Sequence, residues 1–491
     1  MSIFLSLPTK NKSNSSKMKK LVMAMVGLAL FSSHAVAKDV DQTKDMVVLQ
    51  PEITYQSFEG WGSSLCWWAA QVGKWDEAKV DSIVDMLTSP DQLNMNIFRY
   101  NIGGGDDPSH ADGHMVKGKG KRAEMEGFKA SPEAPYDWNA DAAQRKILLK
   151  IKEKRPDAVF EAFSNSAPYW MTVSGCAAGH ADPLKDNLKP EYEEMFCQYL
   201  IDVCKHYKDT YQIDFKTLEP FNESYSNYWY AEGSQEGCHF EPQTQIRIIR
   251  KLYPMLKESG LKTVISASDE TNLNHFLKVQ QAYEEAGDIW EKLGQLNTHT
   301  YSGTNEERLQ VRELVARAGK PFWQSETGPS GGSGLESNLL LVQELFDDMR
   351  IMRPQAWLDW QIMEEHNNEW CVLRGNFQTQ VYRPIKNFYV RMQITRFFKQ
   401  GYTFIESGHD QVLAAVSPSG KELVFAWLNT SDQEQTATIS LEKFRSAKPE
   451  VRVWRTSQEE DCQALPAVKV RNGVFSYQAP ARSLTTFVVT L

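Results

Sequence analysis

Eight short β-rich runs, separated by stretches with helical periodicity, constrain this chain more than any other feature. They are FEGWGSS (58–64), MNIFRYNIG (95–103), AVFEAFSNS (158–166), TLEPFNES (217–224), TVISASDE (263–270), QLNTHTYS (295–302), PFWQSETG (321–328) and AWLDWQIM (356–363). Between them lie amphipathic patterns such as DEAKVDSIVDML and PQTQIRIIRKLYPMLKE, whose apolar residues recur at three- and four-residue spacing. Strands alternating with helices imply a parallel sheet. Eight such units in about 300 residues predict an α/β fold of the closed (β/α)8, or TIM barrel, kind over residues 58–398.

Most of the runs begin apolar and end in polar or aromatic residues: Arg99 and Asn101, Asn165, Glu223, Asp269 and Glu270, His299 and Tyr301, Glu326, Trp360 and Gln361. Barrel enzymes carry their chemistry at the C-terminal ends of the strands, so this polarity predicts an active site there. After RPIKNFYVRMQITRFF (383–398) the texture changes to short alternating strands punctuated by turn pairs such as Asn472–Gly473. Residues 399–491, with 38–57 lending a strand or two, are expected to form an antiparallel β-sandwich beside the barrel.

The first 37 residues read as an export signal. Residues 18–37 hold a lysine pair, a short apolar run and an Ala35–Val36–Ala37 end, and Met18 is a second candidate start. The expected destination is the periplasm or the medium. The leader carries five lysines and no acid, so the remainder is more acidic than the net −9 of the whole chain. That charge disfavours nucleic acid and anionic membranes as partners, and no membrane span is expected. A neutral polysaccharide or oligosaccharide substrate suits it, and a monomer is the expectation. Seven dispersed cysteines without CxxC spacing leave one or two disulfides open, and no zinc signature or other cofactor motif is present.

Two carboxylates stand out. Glu223 closes the fourth run and Glu326 the seventh, each among aromatic residues. Cleavage of a glycosidic bond takes two carboxyl groups flanking the anomeric carbon, one to protonate the leaving oxygen and one to attack or to activate water. Asn222 beside Glu223 can hydrogen-bond a sugar hydroxyl. Glu219 and Glu161 read as mid-strand structural acids, while Asp269 and Glu270 could line a subsite. His299 and Tyr301 are candidates to orient the nucleophile. GGGDD (103–107) lacks the continuation of a phosphate loop and reads as a pliable barrel loop. KGKGKR (117–122) reads as a solvated loop. GPSGG (328–332) matches G-x-S-x-G but is too glycine-rich and long for a nucleophile elbow.

At these motifs the chain resembles glycoside hydrolase family 30, and within it the endo-β-1,6-galactanases. The resemblance covers roughly residues 45–491 and is carried by GWGSSLCWWA (60–69), NIFRYNIGGG (96–105), EAFSNSAPYWMTVSG (161–175), EPFNES (219–224) and SQEGCHF (234–240). It implies a retaining enzyme with Glu223 as acid/base and Glu326 as nucleophile. Arg99, Asn165, Asn222, His299 and Tyr301 would join the sugar site, with Trp67, Trp68, Trp170 and Trp360 as its walls. Retention requires the two carboxyl groups about 5–5.5 Å apart. A β-1,6-glucanase or xylan-cleaving relative with the same pair, or an exported glycan-binding protein on the same scaffold, are the alternatives.

Overall fold

The computed structural model describes residues 46–107 and 125–491. The export signal and the 117–122 loop lie outside them. Residues 45–491 form one compact unit, in which two short strands, β1 (Met46–Val48) and β2 (Gln50–Ser57), precede the barrel. The eight barrel strands are β3 (Gly60–Ser64), β4 (Ile97–Asn101), β5 (Val159–Phe163), β6 (Phe215–Glu219), β7 (Val264–Glu270), β8 (Leu293–His299), β9 (Phe322–Glu326) and β10 (Ala356–Asp359). They pair in parallel, in chain order, and β10 closes on β3. Each falls within two residues of one of the eight β-rich runs.

Helices fill the connections as the periodicity requires. Pro242–Glu258 turns Gln245, Ile249, Leu252 and Leu256 inward, one stripe at helical spacing. Inside the barrel, side chains change along the strand axis. Ile97, Val159, Trp323, Ala356 and Leu358 form an apolar plug. Two residues further along β4, Arg99 stands in register with Glu161 of β5, and the interior becomes charged.

The sandwich pairs a seven-stranded sheet that includes β2 with a three-stranded sheet that includes β1. Strand Glu422–Asn429 shows why its sequence alternates without polar gaps. Leu423, Phe425 and Trp427 face the sandwich core, whereas Val424, Ala426 and Leu428 pack into the cluster shared with the barrel. Helix Lys386–Thr395 is the contact: Gln393 donates to the Trp454 carbonyl, and Thr486 donates to the Gln393 carbonyl.

Two expectations change. All seven cysteines are free and buried, so the disulfides left open by the sequence do not form. The glycine loop after β4 is pinned rather than pliable. Glu236 accepts from the Gly104 N–H at 2.9 Å, Tyr199 donates to the Gly103 carbonyl at 2.9 Å, and a Cβ on Gly103 would stand 2.7 Å from the Glu126 carbonyl. Ser330 of GPSGG is exposed, with no histidine hydrogen-bonded to it. Among the described residues, no helix is long and apolar enough to cross a membrane.

Candidate active site

The polar strand ends converge on one cleft of about 380 Å³, lined by Asn165, Asn222, Glu223, Tyr228, Gln235, Thr271, Tyr301, Glu326, Trp360 and Trp370. Glu326 is the last residue of β9. Glu223 lies four residues beyond the end of β6, at a φ of +51°. Left-handed backbone is uncommon for glutamate and is held here from two sides. The Glu223 N–H donates to the Asp269 carbonyl at 2.8 Å, and the Trp229 indole donates to the Glu223 carbonyl at 2.9 Å. Trp229 lies flat against Gly237 of the SQEGCHF run, where a Cβ would come within 2.0 Å of the indole ring.

The two carboxylates face each other across His299. One oxygen of each, together with a nitrogen of His299, forms a triangle no wider than 4.8 Å. His299 Nδ1 is 3.3 Å from Glu223 Oε1 and 3.6 Å from Glu326 Oε1. Glu326 also accepts from Arg99 Nη1 at 2.8 Å and from the Tyr301 hydroxyl at 2.9 Å. Glu223 accepts from the Tyr228 hydroxyl at 2.8 Å. His299 and Tyr301 therefore both reach the carboxylates, with Tyr301 making the hydrogen bond to Glu326.

Under the cleft, Arg99 is fully buried and spends its donors on three acids: Nε on Glu161 at 2.9 Å, Nη1 on Glu326, and Nη2 on Asp269. Burial works against the Arg99 charge, but Asp269, Glu161 and Glu326 hold the proton on. Burial likewise opposes a charged His299, yet Glu326 and Asp269 push it up to about 10, so the ring is a cation at neutral pH. Burial raises the Glu326 carboxyl, and the His299 and Arg99 cations pull against that rise. The three donors of Glu223, His299 and Glu326 are close enough to hold a metal ion, but Arg99 and protonated His299 already supply the positive charge there.

Asn222 lines the cleft, and its Oδ1 is buried with no hydrogen-bond partner. Asn165 lines the cleft with its amide donating to Asn101 Oδ1 at 3.2 Å. Trp360 forms a wall, and Trp67 does not line the cleft but packs edge-on against Trp360 at 6.0 Å, in a buried cluster. The other two tryptophans stand elsewhere. Trp68 is a core residue of the first barrel helix, its indole donating to the Ser64 carbonyl at 3.0 Å. Trp170 packs on Tyr192, its indole donating to the Lys129 carbonyl at 2.7 Å, and it does not line the cleft. Asp269 and Glu270 are wholly buried and line no subsite.

Sequence reasoning did not assign Tyr228, Gln235, Thr271 or Trp370 to the cleft. Tyr228 carried a signal, as an aromatic five residues after Glu223. Trp370 carried none: it comes from the segment after β10 and stacks on Tyr301 at 5.8 Å. Gly328 makes room for it, since a Cβ there would stand 2.5 Å from the indole.

A parallel barrel whose mouth holds two acids this close is the architecture of an enzyme that cleaves glycosidic bonds. The comparisons agree. A family model described as O-Glycosyl hydrolase family 30 matches residues 44–315. An endo-beta-1,6-galactanase of Hypocrea rufa is 30% identical over 493 aligned residues, which cover 96% of this chain and 99% of that protein. An exo-beta-1,6-galactobiohydrolase of Bifidobacterium longum subsp. longum is 25% identical over 443 residues, covering 70% of this chain and 29% of that longer protein. In fold, the chain superposes on a conserved exported protein from Bacteroides fragilis with a TM-score of 0.77 at 18% identity, covering 90% of this chain and 100% of that one. The chain belongs to glycoside hydrolase family 30.

Proposed function

We propose that this glycoside hydrolase is an exported, monomeric, retaining enzyme that cleaves β-1,6-linked galactan from within, with Glu326 as nucleophile and Glu223 as acid/base. The observation that carries the mechanism is that an oxygen of Glu223 and an oxygen of Glu326 lie within 4.8 Å of each other. Retention works at about 5–5.5 Å, whereas inversion needs about 6.5–9.5 Å to admit a water between the carboxyl groups. Their surroundings divide the roles. Glu326 takes hydrogen bonds from the Arg99 guanidinium and the Tyr301 hydroxyl, which favour its anion. Glu223 touches no guanidinium; it bonds the Tyr228 hydroxyl at 2.8 Å and His299 Nδ1 at 3.3 Å.

Glu326 attacks the anomeric carbon as the bond to the leaving oxygen breaks, and that oxygen takes the proton of Glu223. A glycosyl ester on Glu326 results. Water then gives a proton to Glu223 while its oxygen attacks the same carbon, which frees Glu326 and releases a sugar with its original configuration. Asn222 Oδ1 is placed for a hydroxyl of the reacting sugar, and Trp360 and Trp370 offer apolar faces for its C–H side.

The choice of β-1,6-galactan is supported by the end-to-end match to a relative named for that linkage and by a second relative named for the same linkage. Product analysis of residues 38–491 on debranched β-1,6-galactan, β-1,6-glucan and glucuronoxylan tests it. A ladder of galacto-oligosaccharides from the galactan alone is expected. A ladder from either other polymer overturns the substrate and keeps the mechanism, and a single short product overturns internal cleavage.

A further inference from the structure

Asp269 bonds the Glu223 backbone and residues that hold or adjoin Glu326, although it lines no part of the cleft itself. It is the penultimate residue of β7, at a φ of +53°, where the register against β8 shifts. Aspartate enters that left-handed region more readily than most residues. The bend separates its two ends. Its carbonyl takes the Glu223 N–H at 2.8 Å, while its carboxylate runs beneath the site. There Oδ2 accepts from Arg99 Nη2, and Oδ1 accepts from the hydroxyl of Ser325, the neighbour of Glu326. His299 Nε2 is 3.3 Å from Oδ1, within reach of charge attraction but off the line of a hydrogen bond.

We propose that Asp269 is a positioning residue for both carboxylates, fixing Glu223 through its backbone and Glu326 through Arg99, His299 and Ser325. The inference rests on reading Glu223 and Glu326 as the catalytic pair. Arg99 can point Nη1 at Glu326 because Nε and Nη2 are anchored by Glu161 and Asp269. His299 is faced by Glu223, Glu326 and Asp269, with Glu270 and the Tyr301 ring further off. Of these, Asp269 is the carboxylate on the far side of the ring from the substrate. It keeps its charge because Arg99 and His299 outweigh the cost of its burial. Its anion therefore holds the imidazolium in place whichever proton the two cleft acids exchange.

The test is Asp269→Asn, which keeps the size and removes the charge. On the polysaccharide that the unaltered enzyme degrades, kcat should fall about 10²-fold with KM within about threefold, the scale at which ångström misplacement acts. Followed by nitrogen-15 NMR, His299 should lose its proton at a lower pH in the variant than in the parent, because one of the carboxylates that raise it is gone. A folded variant with kcat within threefold of the parent, a loss confined to KM, or an unchanged His299 titration overturns the proposal. Ser325→Ala removes one donor to the same carboxylate and should lower kcat about tenfold. If Asp269→Asn does not fold, an unchanged kcat in Ser325→Ala overturns it. Glu326→Gln is assayed in parallel. Activity there overturns the catalytic pair itself, whereas an inactive Glu326→Gln beside a fully active Asp269→Asn overturns the positioning role alone.

Discussion

Barrel and sandwich are built on opposite terms. Among the described residues, the buried polar groups of 399–491 are Ser, Thr and Asn, none of them charged. The barrel buries Arg99, Glu161, Glu219, Asp269, Glu270, His299 and Glu326 around one axis. Glu161 is fully satisfied there by Arg99, Thr217, Ser266 and Asn297, while neither oxygen of Glu219 has a partner. A buried pair of charges is weak evidence for stability, since desolvation offsets most of the attraction. The barrel interior carries charge where apolar packing would serve folding as well, and that difference locates the function.

The largest expected contrast comes from breaking each region at its centre. Arg99→Met leaves Glu161, Asp269 and Glu326 without their shared cation and should cost about 3–5 kcal/mol with activity lost entirely. Phe487→Ala opens a hole beside Phe425, Phe475 and Tyr477 and should cost a similar 3–5 kcal/mol. Below its melting transition, however, Phe487→Ala should keep the parental kcat. Urea titration and initial rates on both variants check the pair, and a sandwich variant with a lowered kcat would break the separation.

A smaller effect sharpens the cleft side. Tyr228→Phe removes the hydroxyl bonded to Glu223 and should lower kcat about tenfold without moving the melting temperature by more than about 2 °C. Calorimetry beside steady-state kinetics decides it.

The last contrast is in pH. Among the described residues, every carboxyl that burial raises above its ordinary range lies between Asp141 and Asp359, in the barrel; Glu236, Glu270 and Glu344 are each pushed up to about 8. Such a group keeps its proton in the folded chain and loses it at about 4.5 in the unfolded one. Its contribution is complete below about 4.5 and is lost as pH rises through 8. The melting temperature should therefore fall between pH 5 and pH 9. Hydrogen exchange should show the barrel loosening before the sandwich, and the reverse order would contradict the assignment.

The eight strands were legible because a parallel barrel prints its apolar runs and its polar strand ends directly on the chain. That Glu223 and Glu326 close two of those strand runs was legible for the same reason, while their roles came from the family resemblance. What failed to show was which indoles face the cleft. Trp67, Trp68 and Trp170 sit beside the same kind of motif as Trp360, and only packing tells a wall from a core residue. Trp370 reaches the cleft from a segment that carries no strand-end signal. Asp269 read as a residue that could line a subsite, because the bend that turns it inward depends on a shifted register with β8.

One measurement tests the central claim most directly. The enzyme is incubated with an activated 2-deoxy-2-fluoro-β-galactoside, whose glycosyl ester forms faster than it hydrolyses, and the proteolysed product is mapped by mass spectrometry. A single fluorosugar on the peptide containing Glu326, absent from Glu326→Gln, is the result predicted here. A label on any other residue, or an inverted anomer as the first product by proton NMR, would contradict it.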